Sequence, residues 1–208
     1  MKIGEFLAMN FERIPEWPIK NSLRYFLAFN RFVPSFISDL SPVKGYEKYY
    51  QLKRGDVVVD AGAYPGDYAI FAGKRVGDNG KVICFEPDPK NRKVLEKNIL
   101  AEKLKNIIVI PKGLWNENAV LKFSKEDFKS SLEKEGEIEI EVVRLDDELK
   151  KLNICRVDVL KMDIEGAEIQ AIRGCEKILK ENKVNVAIAS YHVVNGEKTS
   201  YFLEVFLS

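Results

Sequence analysis

The stretch Val57-Val58-Val59-Asp60-Ala61-Gly62-Ala63-Tyr64-Pro65-Gly66-Asp67-Tyr68-Ala69-Ile70 runs from a β-branched apolar segment through small residues into a helix-like pattern. It predicts a strand, a tight glycine turn and a helix N-terminus, the arrangement with which α/β sheets grip nucleotide-like ligands. Gly62 permits positive φ and close backbone approach, and Gly66 opens the helix so that its N–H groups face the ligand. Asp60 falls where strand meets loop. A carboxylate there repels a pyrophosphate and attracts an ammonium or sulfonium group, which favours S-adenosylmethionine over a dinucleotide.

Outward from this stretch, strands and helices alternate. Strands are predicted at 57–61, 81–85, 107–110, 157–162 and 184–189. Helices are predicted at 66–76, from Asp88 onward, at 146–152 and at 168–179. Alternation of this kind implies a doubly wound, mostly parallel sheet with right-handed crossovers. Ala119–Phe123 and Glu137–Val143 break the rhythm. Glu137-Ile138-Glu139-Ile140-Glu141-Val142 alternates with period two, so the pair reads as a β-hairpin or edge insertion. Residues 201–208 are apolar and read as a helix or a final strand, with helix preferred, leaving a shortened C-terminal end.

Residues 1–45 are a separate region, an N-terminal helical cap or lid ahead of a main domain at 46–208. They are rich in aromatics, and Leu23, Phe26, Leu27 and Val33 suggest an amphipathic helix. Tyr46, Tyr49 and Tyr50 either pack or shape a pocket. A chain of 208 residues with 46% hydrophobic residues has room for one sizeable core. Thirty-three Lys+Arg against 32 Asp+Glu give a net charge of +1, with no bulk drive toward nucleic acid or an anionic membrane. Cys84, Cys155 and Cys175 are odd in number and far apart, which fits a reducing, cytoplasmic setting. No segment approaches the ~18 apolar residues of a membrane span, and Met1–Phe6 lacks the order of a signal peptide.

Two further motifs carry chemistry. In Cys84-Phe85-Glu86-Pro87-Asp88, Glu86 lies at the end of the second strand, about twenty residues past the glycine loop, where an acid can accept both ribose hydroxyls. The alternative is a solvated strand end. Asp88 reads as a helix cap. In Leu160-Lys161-Met162-Asp163-Ile164-Glu165-Gly166-Ala167-Glu168, two acids and a glycine occupy the tip of the fourth strand. Asp163 and Glu165 are placed to hold a cofactor amino group, a substrate hydroxyl or a proton in flight. Capping by Asp163 and Glu168 is the blander account.

The three motifs, in this order and spacing, resemble the FkbM family of S-adenosylmethionine-dependent methyltransferases, and Arg144-Leu145-Asp146-Asp147-Glu148-Leu149 is similar to the family segment before the fourth strand. The resemblance covers about residues 45–192. It implies a class I methyltransferase (Rossmann-like) fold, S-adenosylmethionine as cofactor and O-methylation of a sugar or natural-product hydroxyl. Carried over by motif, Asp60, Gly62 and Gly66 would cradle the methionine part, Glu86 would hold the ribose, Gly113-Leu114-Trp115 falls where such folds place the adenine, and Tyr64 and Pro87 would join the cofactor site. Asp163 and Glu165 would face the transferring methyl. Tyr64-Pro65 departs from the polar and small residues common in relatives, and the final antiparallel strand pair of such folds is not evident. The fifth strand would then be an open edge, inviting a homodimer.

His192, the only histidine, follows Ala189-Ser190-Tyr191 on the ligand side. By this position and by its similarity to a family Tyr-His at the same point, it reads equally as a structural residue or as a catalytic or substrate-binding one, and an imidazole can take a hydroxyl proton near neutral pH. The acids and this histidine lack metal-ligand spacing, so no metal is expected. The mechanistic expectation is a hydroxyl acceptor entering beside the N-terminal segment, with Asp163, Glu165 or His192 accepting its proton. A nicotinamide oxidoreductase, an RNA methyltransferase and a non-catalytic cofactor-binding module acting through assembly are the rival readings.

Overall fold

The structure is a computed structural model describing residues 46, 50–124, 137–189, 193–194 and 197–198. The chain divides into two compact units, Met1–Gln51 and Leu52–Ser208. The cap or lid expected over residues 1–45 and the helix expected at 201–208 lie outside the described residues.

The second unit is built on a five-stranded, wholly parallel sheet. Its strands are β1 (Val57–Ala61), β2 (Lys81–Phe85), β3 (Ile107–Ile110), β7 (Val159–Met162) and β8 (Asn185–Ile188). Helix α1 (Asp67–Val76) links β1 to β2, and α2 (Pro89–Ala101) links β2 to β3. The order is β3-β2-β1-β7-β8. The chain therefore winds outward in one direction from β1, then returns to lay β7 on its other side. The switch point between β1 and β7 is where open α/β sheets leave a crevice at the carboxyl ends of their strands. The two central strands are buried along almost their whole length, which is why they read as continuous apolar runs. Val59, Ala61, Ile83, Phe85, Leu160 and Met162 lie at the heart of the core.

The expected hairpin is present. Strand β5 (Ala119–Ser124) pairs antiparallel with β6 (Glu137–Val143). It stands off the main sheet: β6 also pairs, in parallel, with the two-residue β4 (Gly113–Leu114), giving a separate three-stranded sheet. After β8, Val193–Val194 (β9) and Glu197–Lys198 (β10) form their own antiparallel ladder. Among the described residues β8 remains an edge of the main sheet.

One expectation needs correction. The helix read at 168–179 is two short helices, α4 (Glu168–Arg173) and α5 (Glu176–Glu181), following α3 (Leu145–Lys151). Gly174 lies directly against the Trp115 carbonyl, where a Cβ would collide. The opening amides of α5 are satisfied from outside the helix, since Asp146 Oδ2 accepts from Lys177 N at 3.0 Å and Oδ1 from Ile178 N at 2.9 Å. A break costs little where the freed donors find a carboxylate.

Candidate functional site

The glycine turn is held from three sides. Gly62 has φ +75 and Gly66 φ +105, conformations that disfavour any side chain. The Gly62 and Ala63 amides donate to the Phe85 carbonyl at 3.1 and 3.3 Å, knitting the turn to the end of β2. Asn98 Nδ2, reaching from α2, donates to the Pro65 carbonyl at 2.9 Å. A Cβ on Gly62 would strike the Asp163 carbonyl oxygen, so the turn rests on the tip of β7. Gly66 then caps α1, with Asp67 in the first turn. Tyr64 stands exposed on the turn, and its bond to Pro65 is cis.

Glu86 faces this turn from the end of β2. It is 5% exposed; Oε1 accepts from Asp88 N at 3.0 Å and Oε2 from Tyr64 N at 3.4 Å. Burial pushes its carboxyl up to about 7, against the pull of the Asp88 and Tyr64 amides. A buried carboxylate with lone pairs left over is suited to accept ligand hydroxyls. Asp88 is the cap it was read as, its side chain accepting from the Lys90 and Asn91 amides at 2.7 and 3.0 Å. Pro87 lies beside Gly113, with its Cγ 3.9 Å from where a Gly113 Cβ would stand. Leu114 next to it is a core side chain, 3% exposed, so only its backbone is free to line a site.

At the tip of β7, the Asp163 amide donates to the Ala61 carbonyl at 3.1 Å, and the Asp163 side chain is half-buried. Glu165 is exposed and held at φ +54, followed by Gly166 at φ +100. Non-glycine residues in the left-handed region concentrate where a turn is imposed by its surroundings. The fully buried Glu168 helps impose it, Oε1 accepting from Ile164 N at 3.0 Å. Gly62, Glu86, Asp163 and Glu165 thus come from loops at the carboxyl ends of three adjacent strands. His192 lies outside the described residues.

Asp60 differs from the simple expectation of a carboxylate facing a cationic ligand. It is fully buried, and Lys161 Nζ lies 2.9 Å from its Oδ1. The contact is a buried ion pair. Burial pushes the Asp60 carboxyl up to about 6, with Lys161 pulling it back. For Lys161, burial pulls down, but Asp60 and Asp163 outweigh it and hold the ammonium above its usual range. At neutral pH the pair is ionised. The attraction that the sequence suggested is therefore largely spent inside the protein.

Lys161 is the residue that sequence reasoning missed, although a signal was available. A lysine inside an otherwise apolar central strand needs an internal partner, and Asp60 is its cross-strand neighbour in the β1–β7 register. Asn98 carried no such signal, because its role depends on where α2 packs.

The backbone turn, the buried Glu86 acceptor and the Pro87–Gly113 wall suit an adenosyl ligand with a ribose diol. Among the described residues, no cluster of three or more His, Cys, Asp or Glu could hold a metal ion. No helix among them is long and apolar enough to cross a membrane.

Residues 60–207 match the family model described as the methyltransferase FkbM domain. The chain belongs to the FkbM methyltransferase family. It is 26% identical over 171 residues to methyltransferase sdnD of Sordaria araneosa, covering 64% of this chain and 66% of that one. It is 29% identical over 154 residues to tRNA (adenine(57)-N(1)/adenine(58)-N(1))-methyltransferase TrmI of Methanocaldococcus jannaschii, covering 71% of this chain and 49% of that one. The solved FkbM methyltransferase of Methylobacillus flagellatus KT superposes with a TM-score of 0.55 at 19% identity, over 90% of this chain and 52% of that one. This FkbM chain thus spans from about half to about two thirds of these relatives' lengths. Its parallel sheet with flanking helices is the class I methyltransferase fold.

Proposed function

We propose that this FkbM-family chain methylates a hydroxyl of a sugar or small natural-product acceptor, using S-adenosylmethionine. The observation that carries the reading is the convergence of the glycine turn, Glu86 and Asp163 at the β1/β7 switch point, with Gly62 packed on the Asp163 carbonyl. The bound cofactor supplies a methyl group on a sulfonium, open to displacement by an oxygen nucleophile. In this reading Glu86 accepts the ribose hydroxyls, the glycine turn lines the methionine part, and Pro87 and Gly113 flank the base. Asp163 and Glu165 would face the transferring methyl, where either takes the hydroxyl proton as the new C–O bond forms; His192 is the third candidate base. Most of the rate gain comes from holding nucleophile and methyl in line. The cytoplasmic setting rests on three free cysteines, and a homodimer through the β8 edge is the proposed assembly.

Calorimetric titration with S-adenosylmethionine and S-adenosylhomocysteine, with NADH as control, tests the cofactor. Micromolar binding lost in Glu86→Ala supports the reading; binding of NADH alone overturns it. An acceptor screen spanning sugars, polyketide hydroxyls and tRNA tests the rest. In the active pairing, Asp163→Asn is expected to lower turnover by about 10²-fold or more, and unchanged turnover removes Asp163 from the bases. Methylation confined to tRNA overturns the small-molecule acceptor. Cofactor binding with no turnover on any acceptor points to a binding module.

A further inference from the structure

We propose that Lys161 is a positioning residue of the cofactor site, an internal clamp that holds the glycine turn in its ligand-ready shape. The inference rests on reading that turn as the S-adenosylmethionine site. Lys161 projects from β7 across the switch point. Its ammonium reaches three groups of the neighbouring strand and turn: Asp60 Oδ1 at 2.9 Å, the Gly62 carbonyl at 2.9 Å and the Ala61 carbonyl at 3.4 Å. Asp60 and Lys161 are register partners, so the reach is short and set by the sheet itself. Both side chains are buried, at 0% and 6% exposure.

Core stability alone does not call for this pair. Removing two charges from water costs several kcal/mol per ion, and apolar residues of similar volume often serve as well or better. Val159, two residues earlier and on the same face of β7, is a buried apolar side chain, so that face accommodates such residues. An apolar side chain cannot donate to the two carbonyls, however. Ala61 and Gly62 are the residues at which the chain leaves β1 and turns. Their carbonyls are drawn inward to Lys161, while the amides of the same two peptide planes, Gly62 N and Ala63 N, donate to the Phe85 carbonyl, so both planes are held from two ends and Lys161 supplies one of them. Asp60 anchors the ammonium, while Asp67 and Asp163 add to the field that keeps it charged. On this view Asp60 contributes to ligand binding through Lys161 rather than by meeting the ligand.

The test separates a clamp from a mere counter-ion. Lys161→Met leaves Asp60 buried without its cation and is expected to lower the melting temperature. Lys161→Met with Asp60→Asn removes both charges and is expected to recover most of that loss. If Lys161 is a clamp, the double variant still binds S-adenosylhomocysteine about tenfold or more weakly than wild type, on the scale of two lost charge-assisted hydrogen bonds. Asp60→Asn alone, which keeps the ammonium at the carbonyls, is expected to lose less than the double variant. A refolded double variant that binds like wild type overturns the clamp, as does an equal loss in Asp60→Asn alone. Amide hydrogen exchange over Gly62–Gly66 gives a ligand-free readout: faster exchange in the double variant supports the clamp, and unchanged exchange overturns it. If the wild-type chain binds neither adenosyl ligand, the cofactor reading fails, and the exchange data still decide what Lys161 does.

Discussion

Two glycines in one turn face different constraints. At Gly62 the obstacle to a side chain is the Asp163 backbone carbonyl, which β7 holds in place, and φ is +75 besides. At Gly66 the obstacle is the Leu95 Cδ1 methyl, 2.9 Å from the site of a Cβ, which is the movable end of a side chain. Gly62→Ala is therefore expected to cost about 3 kcal/mol or more, and Gly66→Ala about 1–2 kcal/mol. Urea unfolding of the two variants checks the order, and equal losses would mean that the β7 tip gives way. Glu86 and Asp88, two residues apart, illustrate how one acid differs from another. Asp88 spends its carboxylate on the first amides of α2, whereas Glu86 keeps acceptor capacity pointed at the turn.

Among the elements, the Arg144–Leu149 segment serves the scaffold. Asp146 accepts two amides at the start of α5, and Arg144 braces it from 3.4 Å while donating to the Asn116 carbonyl at 3.0 Å. This ties α3, α5 and the chain after β4 together behind the sheet. Asp146→Ala is expected to destabilise the domain by about 1–2 kcal/mol, as loss of a helix cap does, with ligand affinity little changed because the site lies on other loops. Thermal unfolding alongside calorimetry checks both halves. The break between α4 and α5 belongs to the same system, since Gly174 lies against the Trp115 carbonyl and its own carbonyl accepts from Asp146 N at 3.2 Å.

Over the whole molecule, two buried carboxyls couple folding to protons. Glu86 sits at about 7 against its ordinary 4.5, and Asp60 at about 6 against 3.8, both raised by burial. A group whose folded pKa is raised contributes stability that is present in full below its unfolded pKa and lost as pH rises through its folded one. These two groups therefore lower stability as pH climbs from about 4 to 7, Glu86 by at most about 3 kcal/mol. Denaturant titrations at pH 5 and pH 8 are expected to show a smaller difference for Glu86→Gln than for wild type; identical differences would mean that Glu86 titrates normally. Ligand hydroxyls donating to Glu86 favour its ionised form, so affinity for S-adenosylhomocysteine is expected to rise with pH through about 7. Glu86→Gln should flatten that rise.

The strands at 57–61, 81–85 and 107–110, the hairpin, and the placement of Glu86 and Asp163 at strand tips were legible in the sequence. Periodicity and glycine spacing are local, and burial on both faces forces an apolar run whichever chain surrounds it. What local pattern could not express was pairing across the fold. The register that sets Asp60 against Lys161, the Asn98 bond to the loop and the distant Asp146 cap that lets one helix become two each join residues far apart in the chain. The sequence supplied a carboxylate beside a glycine turn. Tertiary structure decided where its charge goes, because a buried ion takes its partner from whatever side chain the sheet brings within reach.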